Sequence, residues 1–180
     1  VPNADRQAPI VSEYLQQIKE YNVAILNDQT PYANEIRNAL QRAWPEVDAQ
    51  IKFQDGYSAS QSDYSPVIEK LKESDVKVVY VMGTPSGVAN LVRQARAQGL
   101  QSLFIASEAG ASPLLWSTAG ESANGMLVNF FPDPSRNDQT TPIVSRMREN
   151  GRQPSVYGLY AYAAVQTLSK AMDGTYASSA

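Results

Sequence analysis

The sequence predicts a three-layer α/β/α sandwich with a mostly parallel sheet. The first observation is a repeated join in which an apolar or β-branched run ends in a short polar loop, and a Ser/Thr-Pro pair opens the next helix. Val23–Leu26 leads to Thr30-Pro31, Val78–Met82 to Thr84-Pro85, and Leu103–Ala106 to Ser112-Pro113. A hydroxyl at the N-cap accepts a bond from an orphan helix N–H, and Pro at the first helical position gives up no needed donor. The second observation is that these strands alternate with helical stretches of about 10–15 residues, the pattern of βαβ units. Right-handed crossovers then place helices on both faces of the sheet.

Each element has its own signal. Over residues 5–20, Ala8, Val11, Tyr14, Leu15 and Ile18 fall near helical spacing. Val23–Leu26 reads as a buried strand. Tyr32, Ile36, Ala39 and Leu40 mark a second helix that ends near Trp44-Pro45, because proline disfavours helical geometry in the residue before it. Ala49–Phe53 alternates like a strand and Asp55-Gly56 reads as a turn. A helix from Asp63 carries Val67, Ile68 and Leu71, and Val76–Met82 is the strongest strand signal. The next helix runs from Pro85 to about Gln98 and stops at Gly99, a C′ glycine. Leu103–Ala106 is a strand, Pro113–Ala119 a short helix, and Gly125–Phe130 a further strand. Asp133–Thr141 reads as a loop, followed by helices at about 142–150 and 155–172 and a frayed tail from Gly174. The aromatic-rich stretch Tyr157–Val165 is expected to be buried on more than one face.

Composition narrows the function. The chain has 180 residues, a net charge of −3 and no cysteine or histidine. Its 15 Lys and Arg form no patch, so no basic field collects phosphates and no nucleic-acid partner is expected. The missing Cys and His remove thiol nucleophiles, disulfides, His-based triads and most zinc sites, and no cofactor or metal is expected. No apolar run reaches the ~20 residues that span a bilayer. The sequence begins at Val1 rather than Met, and a processed or excised fragment is expected.

Residues at the carboxyl ends of the strands carry the site candidates, because open α/β folds bind ligands at that edge. Asp28, Asp55, Asp63, Tyr32 and Ser107-Glu108 invite an enzymatic reading, yet nothing in the sequence sets any two of them at a defined distance. Gly83-Thr84-Pro85-Ser86-Gly87 lacks the lysine of a phosphate loop, and its proline marks an ordinary helix start. Glu108 lies in a Gly/Ala/Ser loop with no Lys or Arg beside it. It reads either as a solvated carboxylate that caps the helix after Ser112 or as an acid aimed into a cleft. Tyr32 either packs on a neighbouring loop or offers its ring and hydroxyl to a ligand. Thr84 is an N-cap, and a helix N-terminus also presents N–H groups to a carboxylate. Together these features suit a zwitterion, with its carboxylate on the helix start and its ammonium on Glu108.

Several segments, taken in order, resemble the type I periplasmic binding-protein family, specifically the branched-chain amino-acid substrate-binding proteins of ABC importers. They include Val23–Asp28 with Pro31-Tyr32, Ser62–Ser65, Val78–Gly83, Leu91–Leu100, Gly120–Val128 and Tyr160–Ala171. The resemblance implies two α/β lobes that close by hinge motion on a small-molecule ligand, an amino acid or a related compound. It makes residues 1–150 the second lobe and 151–180 a crossover helix belonging to the first lobe, plus a frayed tail, the helix being orphaned, repacked or swapped into a homodimer here. It carries the cleft tyrosine to Tyr32 and the ammonium-binding acid to Glu108. Leucine-type binders place aromatics where this chain has Thr84-Pro85 after Gly83, so the side-chain preference departs from that pattern. The implied protein is not an enzyme. It is exported to the periplasm or exterior, with a lipid anchor an open possibility, and delivers ligand to an ABC-transporter permease. A sensor or receptor domain of the same fold, for an amide, urea or aromatic acid, is the alternative.

Overall fold

A computed structural model describes residues 4–19, 22–43 and 51–177. The chain separates into two compact units, residues 2–130 and the segment from Phe131 onward. The first unit opens with α1 (Ala4–Gln17), then β1 (Val23–Asn27), α2 (Pro31–Ala43), β2 (Ile51–Gly56) and α3 (Ser65–Glu73). It continues through β3 (Val78–Met82), α4 (Pro85–Ala97), β4 (Leu103–Ala106), a 3₁₀ turn at Glu108–Ala111, α5 (Pro113–Ala119) and β5 (Leu127–Val128). The sheet has five strands in the order β2-β1-β3-β4-β5, and every pairing is parallel.

Strand alternation builds the expected three layers. Ala24, Leu26, Val79, Val81, Phe104 and Ala106 face one core with α3 and α4, through Ile68, Leu71, Leu91 and Val92. Val23, Ile25, Val78, Tyr80, Met82 and Ile105 face the other core with α1 and α2, through Ala8, Val11, Leu15, Ile36 and Leu40. Both faces are covered, which is why these strands read as continuous apolar runs.

All three Ser/Thr-Pro starts are capped as expected. The Thr30 hydroxyl accepts from Ala33 N at 3.3 Å, Thr84 from Gly87 N at 3.4 Å, and Ser112 from Leu114 N at 3.3 Å. Several boundaries differ from expectation. Asp55-Gly56 is not a turn but the end of β2, paired with Leu26 and Asn27. The fifth strand shrinks to Leu127–Val128, because Gly125 at φ +79° holds a turn before it. Asp133–Thr141 contains short 3₁₀ turns at Pro134–Arg136 and Asp138–Thr140. Trp44-Pro45 and residues 49–50 lie outside the described residues.

The second unit contains α6 (Thr141–Glu149) and α7 (Val156–Ala177). Helix α7 continues through Gly174, where fraying was expected. Phe131 packs edge to face on Tyr157 and Tyr160, at centroid distances of 6.0 and 5.2 Å, and the Tyr160 hydroxyl donates to Pro132 O at 3.1 Å. Residues 161–172 are exposed, contrary to the expectation of a helix buried on several faces. Burial in α7 is confined to Leu159 among the residues whose exposure is described.

One carboxylate joins two of the strand-to-helix loops. Asp28 Oδ1 accepts from Thr30 N at 3.2 Å and from the Thr30 hydroxyl at 2.7 Å, while Oδ2 accepts from Thr84 N at 2.9 Å. Gly83 makes room for this contact: a Cβ there would stand 2.3 Å from the Tyr57 hydroxyl and 2.9 Å from Asp28 Oδ2. Tyr57 cannot easily withdraw, since it is buried and its hydroxyl donates to Met82 O at 3.1 Å. Asp28→Ala should therefore orphan the Thr84 N–H and cost about 2–3 kcal/mol. Thermal unfolding should show this as a midpoint lowered by roughly 4–12 °C, with Asp28→Asn milder because one acceptor survives.

Alkaline pH should test the buried tyrosines. Burial pushes the Tyr80 hydroxyl up to about 12, with the Asn129 hydrogen bond opposing and the Glu108 charge adding. Burial also raises Tyr57, with Asp28 adding to the effect. An unfolded tyrosine ionises near pH ~10. These groups therefore cost nothing below that pH, and stability should fall by about 1.4 kcal/mol per pH unit per tyrosine as pH climbs from roughly 10 to 12. Urea titrations across this window, with Tyr80→Phe as control, should show a shallower loss in the variant.

Candidate functional site

The parallel register brings the ends of β1, β3, β4 and β5 to one edge. Asn27 is level with Met82, Val81 with Ala106, and Ala106 with Val128. Residues just past these positions, Asp28, Gly83, Ser107-Glu108 and Asn129, therefore share the carboxyl edge. Among the described residues, no cluster of His, Cys, Asp and Glu could hold a metal ion.

Tyr32 and Glu108 come from different loops and meet on a third element. The Gln7 side chain, in the first turn of α1, places Nε2 3.3 Å from the Tyr32 hydroxyl and 3.5 Å from Glu108 Oε2. The Tyr32 hydroxyl lies 3.4 Å from Gln7 Oε1, so the amide faces it with both its donor and its acceptor. Gln7 is 2% exposed, whereas Tyr32 is 37% exposed and Glu108 half-buried. The amide thus lies beneath, and the phenol and carboxylate stand toward solvent. Asn129 fixes Gln7 from behind, donating its Nδ2 to Gln7 O at 3.0 Å, with the Tyr80 hydroxyl 3.4 Å from the same nitrogen.

The Glu108 loop is held by its own backbone. Gly110 N donates to Ser107 O at 2.9 Å, Ser112 N to Ala109 O at 3.1 Å, and the Trp116 indole N–H to Gly110 O at 2.8 Å. Ser112 rather than Glu108 caps α5, so the capping role considered for Glu108 belongs to Ser112. Among the described residues no Lys or Arg pairs with Glu108; the ion pairs are Arg42–Asp5, Lys70–Asp55 and Lys77–Asp75. Burial pushes the Tyr32 hydroxyl above the ordinary tyrosine range, the Glu108 charge adds to this, and the Gln7 hydrogen bond opposes it. Two buried atoms nearby in the fold, Ser107 Oγ and Asn129 Oδ1, have no hydrogen-bond partner among the described residues. Unpaired buried polar atoms are uncommon and call for a partner such as water or a ligand.

Gly83, Thr84 and Pro85 stand apart from this group. They lie on the β3–α4 loop, where Asp28 takes the Thr84 N–H and the Thr84 hydroxyl takes the Gly87 N–H. Pro85 has no N–H to offer. Sequence reasoning missed Gln7, Asn129 and Tyr80. For Gln7 a signal existed: it falls in step with Ala4, Ala8, Val11 and Leu15 on the buried face of α1, where a polar residue is out of place.

Comparison with known proteins agrees with this architecture. The family model described as periplasmic binding protein matches residues 1–178. The Leu/Ile/Val-binding protein homolog 1 of Brucella suis biovar 1 (strain 1330) is 33% identical over 168 residues, covering 93% of this chain and 45% of the relative. The Leu/Ile/Val-binding protein of Escherichia coli (strain K12) is 32% identical over 164 residues, covering 90% and 45%. The chain thus spans about 45% of the length of these curated relatives. Among solved structures, the leucine binding protein LivK of Thermotoga maritima superposes with a TM-score of 0.81 at 20% identity, over 94% of this chain and 49% of that one. The branched-chain amino acid transporter substrate binding protein LivJ of Streptococcus pneumoniae, solved with isoleucine, gives 0.74 at 17% identity, over 89% and 47%. At these identities the superpositions speak for the fold, and the family match speaks for descent. The chain belongs to the type I periplasmic binding protein family.

Proposed function

We propose that this chain is the second lobe of a solute-binding protein of an ABC importer, and that it takes one side of a small amino acid. The observation that carries this reading is the pairing of Tyr32 with Glu108 over Gln7, leaving a half-buried carboxylate without a cation among the described residues. Such a carboxylate suits an ammonium group, and the adjacent ring suits an aliphatic or aromatic side chain. The Leu/Ile/Val-binding relatives and the isoleucine complex of the Streptococcus neighbour support the same ligand class.

In this reading the full protein is periplasmic, is no enzyme, closes by hinge motion and hands its ligand to a membrane permease. Residues 1–150 form the second lobe and 151–180 the crossover helix. The exposed Val165, Leu168 and Met172 on α7 suit a helix that is covered by the rest of a protein about twice this length. The ligand's carboxylate is bound mainly by the other lobe, because the Thr84 N–H is already taken by Asp28.

Isothermal calorimetry of the full-length protein with leucine, valine, phenylalanine and a simple amide tests this reading. Glu108→Gln should weaken amino-acid binding by roughly 10–150-fold, the worth of a charge-assisted hydrogen bond, and leave amide binding little changed. Unchanged amino-acid affinity would remove the ammonium assignment. The 180-residue chain alone should bind the same amino acids far more weakly, and micromolar binding by it would contradict a half-site.

A further inference from the structure

We propose that Gln7 is a positioning residue: its buried carboxamide sets the spacing of the Tyr32 hydroxyl and the Glu108 carboxylate so that both meet one ligand ammonium group. This rests on the amino-acid reading of the site and adds a residue to it.

The argument begins with geometry. Tyr32 stands in the first turn of α2 and Glu108 opens the 3₁₀ turn after β4, and the phenol and the carboxylate lie close enough to hydrogen-bond to one another. Gln7 reaches both from one nitrogen, at 3.3 and 3.5 Å. An amide nitrogen has two hydrogens, so it can donate to the phenol oxygen and the carboxylate oxygen at once. Its own oxygen stands 3.4 Å from the Tyr32 hydroxyl. The Glu108 oxygen bonded to Gln7 is thereby used from below, and the carboxylate keeps further lone pairs for a ligand.

The anchor of Gln7 makes it a fixed post. It is 2% exposed, on the same helix face as Ala4, Ala8, Val11 and Leu15, so packing limits its rotamers. Asn129 Nδ2 donates to the backbone carbonyl of Gln7 at 3.0 Å, pinning the helix turn that carries the side chain, and Asn129 is itself fixed at the end of β5, where its N–H donates to Ala106 O at 2.8 Å. A chain of contacts thus runs from β4 through Asn129 and Gln7 to the two ligand-facing groups. Binding groups held by buried hydrogen bonds lose little freedom when ligand arrives, which is how such a shell raises affinity. A glutamine kept only for packing would not need a buried polar head, because an apolar side chain of that length would fill the space at lower cost.

The test is calorimetry on the full-length protein with leucine, valine and phenylalanine, using wild type, Gln7→Met, Glu108→Gln and the double variant. Methionine keeps the length of glutamine and removes the donor. Gln7→Met is expected to weaken amino-acid binding roughly 5–20-fold, with the thermal midpoint moved by only a few degrees. In the Glu108→Gln background the same change should cost little more, because there is no carboxylate left to place. Gln7→Asn keeps an amide but falls one methylene short. It should show the same loss, and it carries the test should the methionine variant not fold. Wild-type affinity in both Gln7 variants, or a loss undiminished without Glu108, would overturn the positioning role while leaving the amino-acid reading intact. Wild-type protein that binds none of the three amino acids would overturn both.

Discussion

Strands β1, β3 and β4 run parallel and in register, and this constraint decides what the carboxyl edge can hold. Because Asn27 is level with Met82 and Val81 with Ala106, the residues that follow leave the sheet side by side. Every loop then has to turn into a helix within a few residues, and each does so by the same means, a hydroxyl cap followed by proline. Asp28 ties two of these loops together through Thr30 and Thr84. With the β1–α2 and β3–α4 loops locked to one another, the remaining freedom at the edge belongs to Tyr32, the Glu108 turn and the first turn of α1. Those three carry the candidate site.

The division of labour between the two carboxylates follows from their surroundings. Asp28 is 7% exposed and accepts three hydrogen bonds, so it is spent on structure. Glu108 is half-buried, meets Gln7 at 3.5 Å and the Tyr32 hydroxyl, and pairs with no Lys or Arg among the described residues. A carboxylate that is partly desolvated and lacks a cation gains most from an incoming one. That difference, rather than mere position in a loop, separates the acid that holds the fold from the acid that suits a ligand.

Much of this was legible in the sequence, and the parts that were not have a common cause. The caps at Thr30, Thr84 and Ser112 were readable because N-cap and proline effects act within four residues. The strands were readable because burial on both faces leaves unbroken apolar runs. Tyr32 and Glu108 were readable as positions after strands. Gln7 showed only as a polar residue on an apolar helix face, since its partners lie 25 and 101 positions away and only the folded sheet brings them near. The same holds for the Thr84 N–H, which is tied to Asp28, 56 positions earlier in the chain. For α7 the local pattern showed an apolar helix, but whether such a helix is buried depends on what lies against it, and in this chain residues 161–172 are exposed.

A crystal structure of the full-length protein with a bound amino acid tests the central claim most directly. The account predicts the ligand's ammonium nitrogen within hydrogen-bond distance of the Glu108 carboxylate, with the Tyr32 ring against the ligand and Gln7 still beneath both. An ammonium group bound elsewhere, with Glu108 left to solvent, would contradict it.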